Sequence, residues 1–276
     1  MGWFAALLAL AYFPILRHLV EQWATDEDMG HGFFVPAVAG FIAWQRREQL
    51  ARIVPKPAWW GALLIGWSIL QSWIGSLGAE LFLQRSAFLI GLVGLLLLVG
   101  GVEIVKELAF PLALLIFMIP IPTVVYTQIT FPLQLFASKV AEQALVSVFN
   151  VPVIRDGNVL ELSSQKLNVV EACSGIRSLI SLTFLSLVYA YFFDRKVWMR
   201  WALLLSTIPV AILANAGRVT VTGLLSEANP SLAGGLPHQV EGWIIFMIAL
   251  AMLFLLHLAI NRVYKWRMAL KAAKSA

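Results

Sequence analysis

Long apolar runs separated by short polar connections dominate this chain, and their lengths set the first expectation. A helix crossing the ~30 Å hydrocarbon core of a bilayer needs about 20 mostly apolar residues. Such runs recur at 3–20, 32–45, 58–74, 86–102, 108–126, 174–193, 201–217 and 240–261, which predicts eight spans in a single integral membrane domain, residues 1–276. The second run is short and must draw on its flanks. The fifth carries Pro111, Pro120 and Pro122, so it is expected to kink or end near 119–122. The first lacks a basic leader and a small-residue cleavage site, which reads as a retained span rather than a removed signal peptide.

Two stretches depart from this pattern. Between 127 and 149, Leu133, Phe136, Val140 and Leu145 interleave with Gln134, Ser138, Lys139, Glu142 and Gln143, the pattern of an amphipathic helix lying in the membrane interface. Between 153 and 166, Asp156-Gly157 sits between two short β-type runs and predicts a hairpin. The expected fold class is therefore an all-α polytopic membrane protein with an interfacial helix and a short extracytoplasmic hairpin before the sixth span.

Composition agrees: 60% of residues are hydrophobic and 13% charged, too much apolar surface for a soluble domain to hide. The 20 Lys and Arg against 15 Asp and Glu give a net charge of +5. In a membrane chain, basic residues mark the cytoplasmic side rather than a nucleic-acid surface. With both termini inside, Arg46, Arg47, Arg52, Lys56, Lys106, Arg195, Lys196, Arg200, Arg262, Lys265, Arg267, Lys271 and Lys274 all fall on cytoplasmic connections. That orientation puts Cys173, Arg218 and His238 at the outer ends of the last three spans.

The chain has one cysteine, which excludes an internal disulfide and a cysteine-based metal cluster. It has no Gly-rich phosphate loop, no His-Glu-x-x-His helix and no Gly-x-Ser-x-Gly elbow around Ser174. No cofactor and no metal are expected. Cys173 lies just before a long apolar run, where unpaired backbone N–H groups at a helix start favour the thiolate; it also reads as a small apolar filler. A thiolate can attack a carbonyl, an imidazole can hold and return the proton, and a guanidinium can stabilise the oxyanion. Arg218 otherwise reads as an interfacial snorkelling cation and His238 as an exposed loop residue.

Around these three stand secondary candidates. Glu241, three residues after His238, either orients the imidazole or is a solvated helix-start acid. Asn215, one turn before Arg218, either donates to an oxyanion or packs between helices. Glu171 and Arg177 flank Cys173 and read equally as an ion pair. His31, between two glycines, either lines a substrate entrance or ends a turn. His18 and His257 receive no role.

The residues Glu171-Ala172-Cys173-Ser174-Gly175-Ile176-Arg177-Ser178, Asn215-Ala216-Gly217-Arg218-Val219 and His238, with Gly30-His31-Gly32-Phe33 and Phe110-Pro111 to Pro122, resemble the exosortase/archaeosortase family over nearly the whole chain. The resemblance implies a cysteine protease/transpeptidase of the bacterial inner membrane with its active site at the outer face. It implies Cys173 as nucleophile, Arg218 as oxyanion or substrate-positioning group, and His238 as general acid/base. Its partners would be exported proteins carrying a C-terminal sorting signal, namely a Pro-Glu-Pro type motif, a membrane helix and a basic tail. The cleaved end would pass through a thioester to an acceptor that the sequence leaves open: water, an amine, or a lipid- or polysaccharide-linked group. Exosortases are associated with exopolysaccharide production. The competing reading is a non-catalytic or transporter subunit of an exopolysaccharide export system, with Arg218 binding an anionic sugar or lipid and Cys173 serving as packing.

Overall fold

The computed structural model describes residues 2–169, 176–194 and 196–275, without the side chains at 2, 5, 27, 28, 176–178, 233 and 271–275. The chain is mostly helical and divides into two units, Met1–Thr123 and Val124–Ala276. Among the described residues, three helices are long and apolar enough to cross a membrane: Leu81–Gly100, Val197–Ala228 and Gly235–Leu270. The interrupted pair Ala109–Met118 and Thr123–Ser147 makes a fourth if it is counted as one span. Gly61–Leu77 and Leu179–Phe193 are shorter apolar helices.

The first unit starts with helices α1 (Gly2–Ala11) and α2 (Phe13–Thr25), so the expected first span is broken at Tyr12, where Pro14 takes one of the first two positions of the new helix. A 3-10 segment, Glu27–Phe33, leads into α3 (Phe34–Gln45) and the short α4 (Arg47–Arg52). Helices α5 (Gly61–Leu77) and α6 (Leu81–Gly100) form a tight hairpin. Their closeness needs glycine: a Cβ on Gly61 would lie 2.6 Å from the carbonyl oxygen of Gly94. Small residues where helices touch are the membrane solution, because lipid gives apolar side chains no reason to leave it and backbone proximity must supply the attraction.

Two short helices, α7 (Val102–Glu107) and α8 (Ala109–Leu114), and a 3-10 turn, Leu115–Met118, complete the unit. Helical structure stops at Met118 and resumes at Thr123 because Pro120 and Pro122 cannot donate to a helical ladder. The preceding carbonyls are used elsewhere. Trp23 Nε1 donates to Met118 O at 2.9 Å, and His31 Nε2 to Phe117 O at 3.1 Å. Arg46 pairs with Glu107 at 2.7 Å.

In the second unit, α9 (Thr123–Ser147) precedes a three-stranded antiparallel sheet of β1 (Val153–Asp156), β2 (Val159–Leu162) and β3 (Lys166–Asn168). The first turn is Gly157-Asn158, with Gly157 at φ +61°, and Val153 pairs with Leu162. The expected two-stranded unit thus has a third strand, which pairs Val159 with Asn168.

Helix α9 differs from the amphipathic pattern read in its sequence. Its buried face is Thr130, Gln134, Ala137, Ser138, Ala141 and Leu145, while Phe131, Phe136 and Val146 point outward. The sheet is the reason. Ser138 donates to Gly157 O at 3.0 Å and Arg155 pairs with Glu142 at 2.9 Å, so the polar side chains have protein partners and the large apolar ones are left to face out. Ala137, Ala141 and Leu145 pack with Leu160, Leu162, Leu167 and Val169 of the sheet region, and with Ala216 and Val219 of the next long helix.

That helix is α11 (Val197–Ala228), which packs between α10 (Ile176–Phe193) and α12 (Gly235–Ser275). Leu182 of α10, Val210, Ala211 and Ala214 of α11, and Ala249 and Leu253 of α12 form the bundle core. Both long helices exceed the expected spans 201–217 and 240–261. Pro209 lies inside α11 without ending it, and α12 runs through the basic tail.

At one end of this bundle a buried polar chain ties the helices. Tyr189 donates its hydroxyl to His257 Nδ1 at 2.7 Å, and His257 Nε2 donates to Asp194 Oδ2 at 3.2 Å. Asp194 Oδ1 accepts from the Lys196 backbone N–H at 2.8 Å, and its carbonyl accepts from Arg200 Nε at 2.8 Å. Burial pushes the Asp194 carboxyl up, but these hydrogen bonds and the nearby positive charge outweigh it and leave its pKa below the ordinary value.

A carboxylate with a depressed folded-state pKa contributes stability that is present above its unfolded pKa and is lost as pH falls through the folded one. The unfolding midpoint in detergent of the wild type should therefore exceed that of Asp194→Asn above about pH 4, with the margin closing at lower pH. His257→Phe should cost about 1–3 kcal/mol, since it removes a hydrogen-bond partner from the buried Asp194 carboxylate and from the half-buried Tyr189 hydroxyl. A His257→Phe protein as stable as the wild type would show that the chain ties nothing.

Candidate functional site

Arg218 sits within α11, not after it, because Gly217 is accommodated in the helix and the ladder continues to Ala228. His238 likewise lies in the first turn of α12, which opens at Gly235 with φ +61°. A left-handed residue there is what glycine permits at no steric cost, and it sets the angle at which α12 leaves the 3-10 turn Pro230–Ala233. The short connection folds α12 back along α11. Residues 20 apart in sequence then meet: Arg218 Nη2 lies 2.9 Å from His238 Nε2.

Chemistry fixes the roles in that contact. A guanidinium has only donors, so Nε2 must offer its lone pair and the ring proton sits on Nδ1. The Nδ1 atom is 3.4 Å from Glu241 Oε2, one turn further along α12. Glu241 is buried at 6% exposure, and its other oxygen accepts the Thr222 hydroxyl at 2.7 Å. Thr222 is wholly buried, one turn beyond Arg218 on α11, and its hydroxyl also lies 2.9 Å from Arg218 O.

The guanidinium packs against a position that has no side chain. A Cβ on Gly242 would stand 3.0 Å from Arg218 Nη2 and 3.2 Å from Cζ, so the guanidinium lies directly against the α12 backbone. The Nε of Arg218 is buried and makes no hydrogen bond among the described residues.

The structure thus brings together three of the residues singled out by sequence, Arg218, His238 and Glu241. Asn215 is buried on α11, one turn before Arg218. His31 belongs to the first unit, where its ring is engaged with Phe117 O. Cys173 and Glu171 lie outside the described residues, and of Arg177 only the backbone, in the first turn of α10, is described. Val169, the last described residue before that stretch, packs in the same core as Val219, the neighbour of Arg218.

Thr222 and Gly242 escaped the sequence reading. Thr222 stands four residues after Arg218 and Gly242 four after His238, so helical spacing alone put each one turn from a candidate. Among the described residues, no three His, Cys, Asp or Glu side chains come together as a metal-ligand group.

Compared with known proteins, residues 23–255 match the family model described as Transmembrane exosortase (Exosortase_EpsH). No curated protein and no solved structure is significantly similar to the chain.

Gly242→Val should force Arg218 Nη2 and His238 Nε2 beyond hydrogen-bond range in an experimental structure. Gly217→Ala, where a Cβ would meet nothing within 4 Å, should leave the pair together. A Gly242→Val structure with the contact intact would show that the close approach to the backbone does not set it.

Proposed function

The chain belongs to the transmembrane exosortase family, and on that footing we propose that it is a membrane cysteine transpeptidase acting on exported proteins with a C-terminal sorting signal. The observation that carries this reading is the 2.9 Å contact between Arg218 and His238 on adjacent helices. A cation and a base held together in an apolar bundle are costly without a task. Acyl transfer through a thioester gives both of them one.

In this reading the reaction starts when the Arg218 guanidinium turns from His238 Nε2 to the carbonyl oxygen of the bound substrate, which frees the lone pair that takes the thiol proton. Cys173 loses that proton to His238 Nε2, and the thiolate sulfur attacks the scissile carbonyl carbon. The π electrons of the carbonyl move to oxygen, where the guanidinium meets the developing charge. Collapse of the tetrahedral adduct breaks the C–N bond, and the imidazolium returns its proton to the leaving amine. An acceptor nucleophile then adds to the thioester, giving its proton to His238 as Cys173 leaves as thiolate.

Glu241 stabilises the charged ring and keeps the Nδ1 proton in place. Asn215, Glu171 and Arg177 are assigned supporting places around the site. The eight spans of residues 1–276, both ends inside, belong to the same proposal, as does an outward-facing site in the bacterial inner membrane. So do the Pro-Glu-Pro type signal and a lipid- or polysaccharide-linked acceptor.

Cys173→Ala should insert normally, retain bound substrate and lose processing by at least about 10³-fold. Normal processing by that variant removes the mechanism. Mass spectrometry of the mature substrate should find a group attached to the new C-terminus, whereas a free carboxylate makes the enzyme a protease only.

A further inference from the structure

Thr222 has no place in the acyl-transfer scheme, yet it makes a short hydrogen bond to the site. A threonine inside a helix ordinarily returns its hydroxyl proton to the carbonyl four residues back. Here that carbonyl, Arg218 O at 2.9 Å, competes with the Glu241 carboxylate at 2.7 Å on the neighbouring helix. The carboxylate is the stronger acceptor, because a charged partner roughly doubles the strength of a hydrogen bond. Valine would fill the same fully buried volume without a hydroxyl to desolvate. The hydroxyl is retained where a buried carboxylate needs it.

We propose that Thr222 is a positioning residue that selects which nitrogen of His238 serves as the base. The proposal rests on the acyl-transfer reading above and deepens it. With Oε1 of Glu241 held by the Thr222 hydroxyl, the carboxylate stands beside the ring with Oε2 3.4 Å from His238 Nδ1, an ion-pair distance rather than a hydrogen bond. Its negative charge favours the ring proton on Nδ1. The lone pair is left on Nε2, the nitrogen that Arg218 marks from the other side at 2.9 Å. Two helices thus set one tautomer: α12 supplies the imidazole and the acid, and α11 supplies the hydroxyl and the guanidinium one turn apart.

The charged groups facing the imidazole include Arg218 from α11 and Glu241 from its own helix. Without the hydroxyl, nothing from α11 holds the Glu241 carboxylate, and it can turn from the ring. Nδ1 then loses the negative charge beside it, and part of the population carries the proton on Nε2, where it cannot accept one from the thiol.

Because the chain has one cysteine, the alkylation rate of Cys173 against pH reports directly on the base. Turnover of a reconstituted substrate separates kcat from KM. Thr222→Val should lower kcat by about 10–100-fold, the usual cost of losing an outer-shell partner, with KM within about twofold. Its alkylation profile should shift along the pH axis. Thr222→Ser should recover most of kcat.

Glu241→Gln should reproduce the Val profile, and the double variant should be no worse than Glu241→Gln alone, since both act through one contact. If Thr222→Val fails to fold, the Ser and Gln variants still decide. A Ser variant as impaired as an Ala variant, or a Glu241→Gln profile identical to wild type, overturns the proposal, as does Thr222→Val with wild-type kcat and profile. Failure of the underlying reading looks different: His238→Ala would then process substrate and alkylate normally whatever happens at Thr222.

Discussion

A guanidinium placed among apolar helices must find an acceptor, and in this protein it finds the lone pair of an imidazole. That hydrogen bond, Arg218 to His238, is the constraint on which the site depends. Charge in a low-dielectric setting cannot be left unsolvated, so the bond decides several things at once. It ties α11 to α12, sets which ring nitrogen carries the proton, and brings the guanidinium against the α12 backbone at Gly242. Glu241 then places a negative charge 3.4 Å from Nδ1 of the same ring.

The rest of the second unit holds this arrangement in place. A small sheet packs against α9 and α11, with Val219 fully buried beside Arg218. Gln165 donates to Ser226 at 2.7 Å, tying the β2–β3 turn to the far end of the same helix. At the other end of α10 and α12, the Tyr189–His257–Asp194 chain satisfies every polar group it buries. The bundle core between them is made of alanine, leucine and valine. Polar links at both ends and small residues between are how helices cohere where lipid competes equally for apolar side chains.

Some of this was legible residue by residue. Arg218, His238 and Glu241 stood out because charge is scarce in this chain and these three fall close together at the last long apolar runs. Pro120 and Pro122 announced the break in the helix at 119–122. Other features were invisible for a physical reason. Gln134 and Ser138 read as a solvent face until the sheet gave them partners, and His257 read as an idle histidine until Asp194 and Tyr189 met it. Thr222 looked like an ordinary helical threonine, since its acceptor comes from another helix 19 residues away in sequence.

What the sequence by itself determined is therefore the solvent and the chemistry: a membrane chain of the transmembrane exosortase family with a few chemically capable side chains at identifiable positions. Hydrophobic length, charge scarcity and local residue order are properties of the string alone. Only the tertiary structure decided which polar groups became partners, which face of α9 turned inward, where α11 and α12 end, and which tautomer His238 adopts. A hydrogen bond needs two groups within about 3 Å, and for groups on different helices that distance exists only after the helices have packed.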